Sequence, residues 1–156
     1  MKNTMLEKLF NAQAHFGHFK KVRNPKLKPF IYKTINGLDI IDLDQTTIKI
    51  KHIQHFLEPY QYEDILIVSD RRADGVKKWK PGMLTNFQFS RLDKMPSVMI
   101  IDRVDKNKIA VNEALKCNIP VIGICDTNAS IKNLKLFVVI NDDSDKAIKT
   151  LFEMII

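Results

Sequence analysis

Four short runs, Ile65–Ser69, Ser97–Ile101, Pro120–Ile124 and Phe137–Ile140, are almost wholly apolar, and none exceeds five residues. Runs of that length are too short for buried helices, and they lack the polar alternation of a sheet wetted on one face. Around them lie stretches with helical spacing. Thr46–Leu57 places Ile48, Ile50, Ile53, Phe56 and Leu57 on one side, and Pro59 ends it. Asn107–Cys117 does the same with Ile109, Ala110, Ala114 and Leu115, and Ser144–Ile155 with Ala147, Ile148, Leu151, Phe152 and Ile155. A shorter pattern over Leu6–His15 predicts a first helix whose end brings His18 near the sheet. Asn107 and Ser144 read as helix caps. Strands apolar on both faces that alternate with helices specify a parallel sheet covered on both sides. The predicted fold is α/β with three layers, in a single domain over residues 1–156.

The chain before this core has a different character. Lys20, Lys21, Arg23, Lys26 and Lys28 fall within nine positions, interrupted by Pro25 and Pro29 and flanked by Phe16, Phe19, Phe30 and Tyr32. Proline fixes φ and removes backbone donors, so the segment cannot be a continuous α-helix. It reads as a stiff, extended arm. Asn36-Gly37 then turns the chain into a strand over Leu38–Leu43. Cations held at fixed spacing beside aromatics suit a polyphosphate backbone better than a small substrate. A second cluster, Arg71, Arg72, Lys77, Lys78 and Lys80, surrounds the only Trp, Trp79. Trp79 is read either as a base-stacking group or as the plug of a shortened loop.

The charge balance agrees. The formal net charge is +7 and the pI about 9.4. The charge is also uneven: the first 37 residues hold one acid, Glu7, whereas residues 141–156 hold four acids against two Lys. Such asymmetry points to an oriented, polyanionic partner. No apolar run approaches the length of a membrane span. Cys117 and Cys125 lack paired CxxC spacing, so neither a disulfide framework nor a zinc finger is indicated, and both are expected to be inert thiols.

In an open parallel sheet, function gathers beyond the carboxyl ends of the strands. There the chain carries Asp70, Asp102, Asp126 and Asp142, which gives a second reading as a nucleotide- or Mg²⁺-dependent enzyme. GxGxxG and GxxxxGK are both absent, and Asp at strand ends also closes turns, so the enzyme reading is the weaker one. No cofactor is expected. One alternative is a Mg²⁺ or Zn²⁺ site formed by His18, Asp126 and Asp142, against which His15 and His18 simply pack at the strand ends.

HFGH, NPKLKPFIY, NG, IIDL, GMLTNF, MIIDR, IAVNEA, NIPVIGICDTN and VVINDD-SDKAIKTL occur in this order from about Leu6 to Leu151. Together they resemble the ribosomal protein S2 family of the small ribosomal subunit. The resemblance implies a flavodoxin-like parallel sheet, no enzymatic activity, and binding to small-subunit rRNA and neighbouring ribosomal proteins. In bacteria it also implies help in recruiting the large mRNA-binding protein of the subunit. On this reading the ten cations named above neutralise rRNA phosphates, and neither a membrane nor a homo-oligomer is involved.

Three features depart from the family pattern, one of them a short segment between DRRAD and Trp79 that leaves out a helix and an edge strand. FQFSRLDKMPSVMII runs almost straight into the next strand where the family inserts a helical hairpin, and KWKPG stands where the family has RWLGG. The crossover between Ile65–Ser69 and Ser97–Ile101 is therefore short, and one face of the sheet is expected to lack cover, leaving the chain dependent on its assembly for stability. The chain has 20 Lys, 20 Ile and 11 Asn against 5 Arg and 7 Ala. That is the usage of an A/T-rich genome. With no apolar leader at MKNTMLEKLFNAQ, a mitochondrially encoded subunit is expected, with an A/T-rich bacterium or plastid as the alternative.

Overall fold

The computed structural model describes residues 4–69, 82–85 and 94–156. Helix α1 spans Met5–Asn11. Thr4 and Glu7 form a reciprocal cap: the Thr4 hydroxyl accepts the Glu7 N–H, and the Glu7 carboxylate accepts the Thr4 N–H. The helix ends earlier than its pattern predicts, because Gln13 turns into the left-handed region at φ 60°. His15 and His18 are therefore not helical, and His18 lies instead in a strand, β1 (Phe16–Phe19).

The basic segment that follows is not the extended arm expected. It folds into two tight 3₁₀ stretches, Lys20–Val22 and Pro25–Phe30, the second opened by Asn24, whose side chain accepts the Lys26 N–H. Proline at the first helical position is compatible with such a turn. β2 (Ile31–Ile35) and β3 (Leu38–Ile41) form the expected hairpin, with positive φ at both Asn36 and Gly37. These strands make a small antiparallel sheet in the order β1-β3-β2.

The core follows. α2 (Leu43–Leu57) is capped by Asp42. β4 (Ile65–Val68), β5 (Val98–Asp102), β6 (Val121–Cys125) and β7 (Leu136–Val139) form a parallel sheet in chain order. α3 (Lys108–Lys116) connects β5 to β6, and α4 (Asp145–Ile155) closes the chain behind the Ser144 cap. α1, α2 and α4 cover one face of the sheet; α3 packs on the other. The three-layer arrangement predicted from the apolar runs is the one found.

Three inward assignments fail. Ile48, Ile109 and Leu115 are exposed. In α3 the buried stripe is Ala110, Val111 and Ala114 with Glu113, which rotates Ile109 and Leu115 out to the flanks. Asn107 occupies the cap position, but its amide donates to the carbonyls of Asp102 and Arg103 rather than capping the helix. Cys125 is buried at the end of β6, and burial pushes its thiol up.

The sheet face expected to be bare is covered. Leu66 and Val68 are buried in a cluster with Leu84, Met99, Ile101 and the α3 alanines. Glu113, itself buried, accepts the backbone N–H groups of Gly82 and Leu84 and ties residues 82–85 to α3.

The small sheet is held by an ion pair that the sequence did not advertise. Asp39 is fully buried on β3. The Arg23 guanidinium donates to it twice, Nε to Oδ2 at 2.8 Å and Nη2 to Oδ1 at 2.6 Å. The Thr34 hydroxyl adds a third bond at 2.7 Å. Arg23, with Thr34, holds the Asp39 carboxyl below its ordinary range even though burial opposes this. Removing one partner of such a pair leaves the other charge buried, at a cost of about 3 kcal/mol. Arg23→Ala is thus expected to lose about that much in chemical unfolding of the full chain, and Arg23→Met combined with Asp39→Leu to lose much less. Equal losses from the single and the double variant would show that the pair does not hold the sheet.

Candidate functional site

The small sheet does not stand apart from the parallel one. It lies across the loop that leaves β6, and Asp126 and Thr127 are the residues that join them. The Thr127 hydroxyl accepts the His18 N–H at 2.9 Å, and its carbonyl accepts the Asn24 N–H at 2.9 Å. The Asn24 amide donates to the Ala129 carbonyl at 2.7 Å. Thr127 is itself held by its N–H, which donates to Asp126 Oδ1 at 2.6 Å. Gly17 completes the fit: a Cβ there would lie 2.7 Å from the Thr127 methyl and 2.9 Å from the Asp39 carbonyl. Only glycine lets β1 approach this closely.

This docking fixes the basic turn at His18, just before it, and at Asn24, in its middle. Of its five predicted phosphate contacts, Lys20, Lys21, Lys26 and Lys28 are exposed. Arg23 is turned inward onto Asp39 and leaves the set. Arg71, Arg72, Lys77, Lys78, Lys80 and Trp79 lie outside the described residues, as does Asp70.

The remaining strand-end carboxylates behave as structural groups. Asp102 is buried and accepts the Ser69 hydroxyl at 3.0 Å. Asp126 is buried and accepts the N–H of Asp142 at 3.2 Å in addition to that of Thr127. His18 stands beside it, with Nδ1 3.1 Å from Asp126 Oδ1 and Nε2 3.5 Å from Asp143 Oδ2. The third member of the predicted constellation is therefore Asp143, not Asp142. The ligand atoms of His18, Asp126 and Asp143 lie within 4.8 Å of one another, a donor set that suits a divalent ion once the imidazole has lost its proton. Without an ion, the same atoms form a histidine–carboxylate pair. His52 and His55 are exposed on α2, away from this cluster. Three features escaped the sequence reading: the Arg23–Asp39 pair, the Thr127 anchor and the role of Asp143. Thr directly after a strand-end Asp was the one available sign, since that pair readily closes local hydrogen bonds.

A second feature adjoins the small sheet. Leu6, Phe10, Tyr32, Ile40 and Leu43 line a groove of about 420 Å³ between α1 and the hairpin, with Glu7, Asp42 and Asp44 also in its lining.

Comparison with known proteins accords with these features. The sequence profile described as ribosomal protein S2 matches residues 9–75 and 88–156. The small ribosomal subunit proteins uS2 of Bacteroides fragilis and Bacteroides thetaiotaomicron are each 26% identical to the chain, over 98% of it and 77% of their own length. That of Sorangium cellulosum is 29% identical over 92% of the chain and 74% of its own. The matches to the Bacteroides proteins extend over 215 positions, more than the chain's 156, so these relatives carry internal segments that the chain lacks. The chain belongs to the ribosomal protein S2 family, whose members are structural rather than catalytic, and the enzyme reading is set aside.

The carboxylate cluster has a pH signature. Burial alone would lower the His18 pKa, but Asp126, Asp143 and Asp142 outweigh it and raise the value above 6.5. Burial, followed by the charges of Asp126 and Asp143, raises Asp142 from 3.8 to about 7. Both folded-state values lie above the unfolded ones, so these two groups bind more protons in the folded chain and their contribution falls as pH rises, while His15, lowered by burial, offsets part of this near its unfolded value. The Asp142 contribution declines from about pH 4 to 7, and that of His18 from about 6.5 upward through its folded value. Urea midpoints of the full chain are expected to drop between pH 5 and 8, and Asp142→Asn to flatten the acidic part of that drop. A midpoint that rises over this range would contradict the assignment.

Proposed function

We propose that the chain is a structural constituent of the small ribosomal subunit that binds rRNA through the basic 3₁₀ turn between β1 and β2. The observation that carries this reading is the exposure of Lys20, Lys21, Lys26 and Lys28 on one short segment that is pinned to the β6 loop at His18, before it, and at Asn24, in its middle. Pinning removes conformational freedom before binding, so less entropy is lost when the cations meet phosphates. The net charge of +7 supports the same polyanionic partner. Arg71, Arg72, Lys77, Lys78 and Lys80 are proposed to extend the phosphate-binding surface, with Trp79 either stacking on a base or plugging the shortened loop.

Neighbouring ribosomal proteins are the second class of partner. The groove beside α1 supports this, since a cleft lined by Leu6, Phe10 and Tyr32 suits a side chain of another protein better than a phosphate backbone. Proteins of that kind would also occupy the space of the segments that the relatives carry and the chain lacks. The home of the assembly is inferred from residue usage. The abundance of Lys, Ile and Asn supports an A/T-rich genome, with a mitochondrion the first reading and a bacterium or plastid the second.

Binding of the full chain to its small-subunit rRNA is expected to weaken steeply with salt. Each phosphate neutralised contributes about 0.9 to the slope of log K against log salt on a duplex, so four lysines give a slope of about −3.6 or steeper. Lys26→Ala with Lys28→Ala is expected to flatten that slope by nearly 2. A slope near zero, or one unmoved by the double variant, would overturn the assignment.

A further inference from the structure

The small sheet carries an exposed aromatic ring in a setting the basic turn alone does not explain. Phe19, the last residue of β1, is 56% exposed. It pairs with Leu38, which pairs on its other side with Ile35, itself 45% exposed. Residues in one cross-strand row project from the same face at about 5 Å spacing. Phe19, Leu38 and Ile35 thus form an apolar strip at the turn end of the sheet. The strip is rigid: the Lys20 N–H donates to the Gly37 carbonyl at 2.8 Å, and His18 is pinned to Thr127.

The electrostatic surroundings of the ring are one-sided. From Phe19 to Gly37 the chain has five Lys, one Arg and no acid. Lys21 Nζ lies 5.9 Å from the centroid of the Phe19 ring. Asp39 projects from the opposite face of the sheet and is consumed by Arg23, and Asp143 pairs with His18. Lys20 lies within electrostatic reach of Asp39, but that carboxylate is buried and already held by Arg23. An exposed aromatic ring at a strand end beside Lys20 and Lys21 matches the chemistry of a stacked base whose phosphates are held electrostatically.

We propose that Phe19 is a base-stacking platform for an unpaired nucleotide, with Lys20 and Lys21 holding the phosphates that flank it. This inference rests on the rRNA-binding reading and adds a preference for single-stranded RNA at one position. A low cost of ordering favours the role, because the backbone that carries the ring is held by the sheet before the nucleotide arrives.

The test uses the full chain with two probes, a labelled twelve-nucleotide oligouridine and a twelve-base-pair RNA duplex, at one salt concentration. Phe19→Ala is expected to weaken oligouridine binding about tenfold and leave duplex binding unchanged, and Phe19→Trp to retain or strengthen it. Loss on both probes alike would make the ring a scaffold and overturn the proposal. Salt-dependent binding of both probes with no effect of Phe19→Ala would overturn the platform while leaving the rRNA reading intact. Binding of neither probe by the unsubstituted chain would overturn both. Ultraviolet irradiation of assembled small subunits gives an independent readout: a nucleotide adduct on Phe19 is expected, whereas crosslinks from Lys20 and Lys21 to protein alone would assign the strip to a protein neighbour and refute it.

Discussion

Everything distinctive about this molecule depends on the contact between the amino-terminal strand and the loop after β6. Thr127 uses its hydroxyl and its carbonyl to hold His18 and Asn24, and Asp126 holds Thr127 in place. α1 belongs to the main core, but without that contact β1 and the β2–β3 hairpin would lose their tie to the β6 loop, and an isolated antiparallel hairpin has little stability of its own. With it, the small sheet becomes a buttress across the carboxyl ends of the parallel strands, and Leu27, Ile41 and Val139 form a shared apolar cluster beneath it.

The contact also sorts the basic residues into two roles. Arg23 sits next to Asn24, whose N–H is fixed by Thr127, so its side chain is delivered to the buried Asp39 and is spent there. Arginine is suited to that place, since its planar fork satisfies both carboxylate oxygens. The lysines on either side reach outward as mobile point charges. A single run of cations thus divides into one that builds the platform and four that the platform displays. The strand-end carboxylates divide in a similar way. Asp126 serves the backbone of the loops and faces His18 from the buried side, and Asp143 faces the same imidazole at the surface.

The parallel core was legible in the sequence because both of its periodicities were strong. The four apolar runs and the stripe of α4 gave strands and helix to within a residue or two. The errors arose where local pattern and tertiary demand diverged. Pro25 and Pro29 do forbid an α-helix, yet a 3₁₀ turn tolerates them, and the Asn24 cap tipped the chain into one. Leu6–His15 looks helical as far as Ala14, but the left-handed Gln13 converts its end into a strand approach. Ile109 and Leu115 obey helical spacing equally well in or out, and only the alanine-lined contact of α3 with the sheet decides between them. The Arg23–Asp39 pair joins residues 16 apart whose proximity depends on a hairpin and a turn together, so no local motif announces it. The family resemblance placed the fold and the structural role, but it could not distinguish the buried, paired arginine from the exposed lysines around it.

The most direct measurement of the central claim is a density map of the small ribosomal subunit that contains this chain, at a resolution that separates lysine and arginine side chains. The account predicts that Thr127 still holds His18 and Asn24, that Arg23 remains on Asp39, and that Lys20, Lys21, Lys26 and Lys28 lie against rRNA phosphates. A map in which the basic turn faces solvent or protein, or in which Arg23 has left Asp39 for a phosphate, would contradict it.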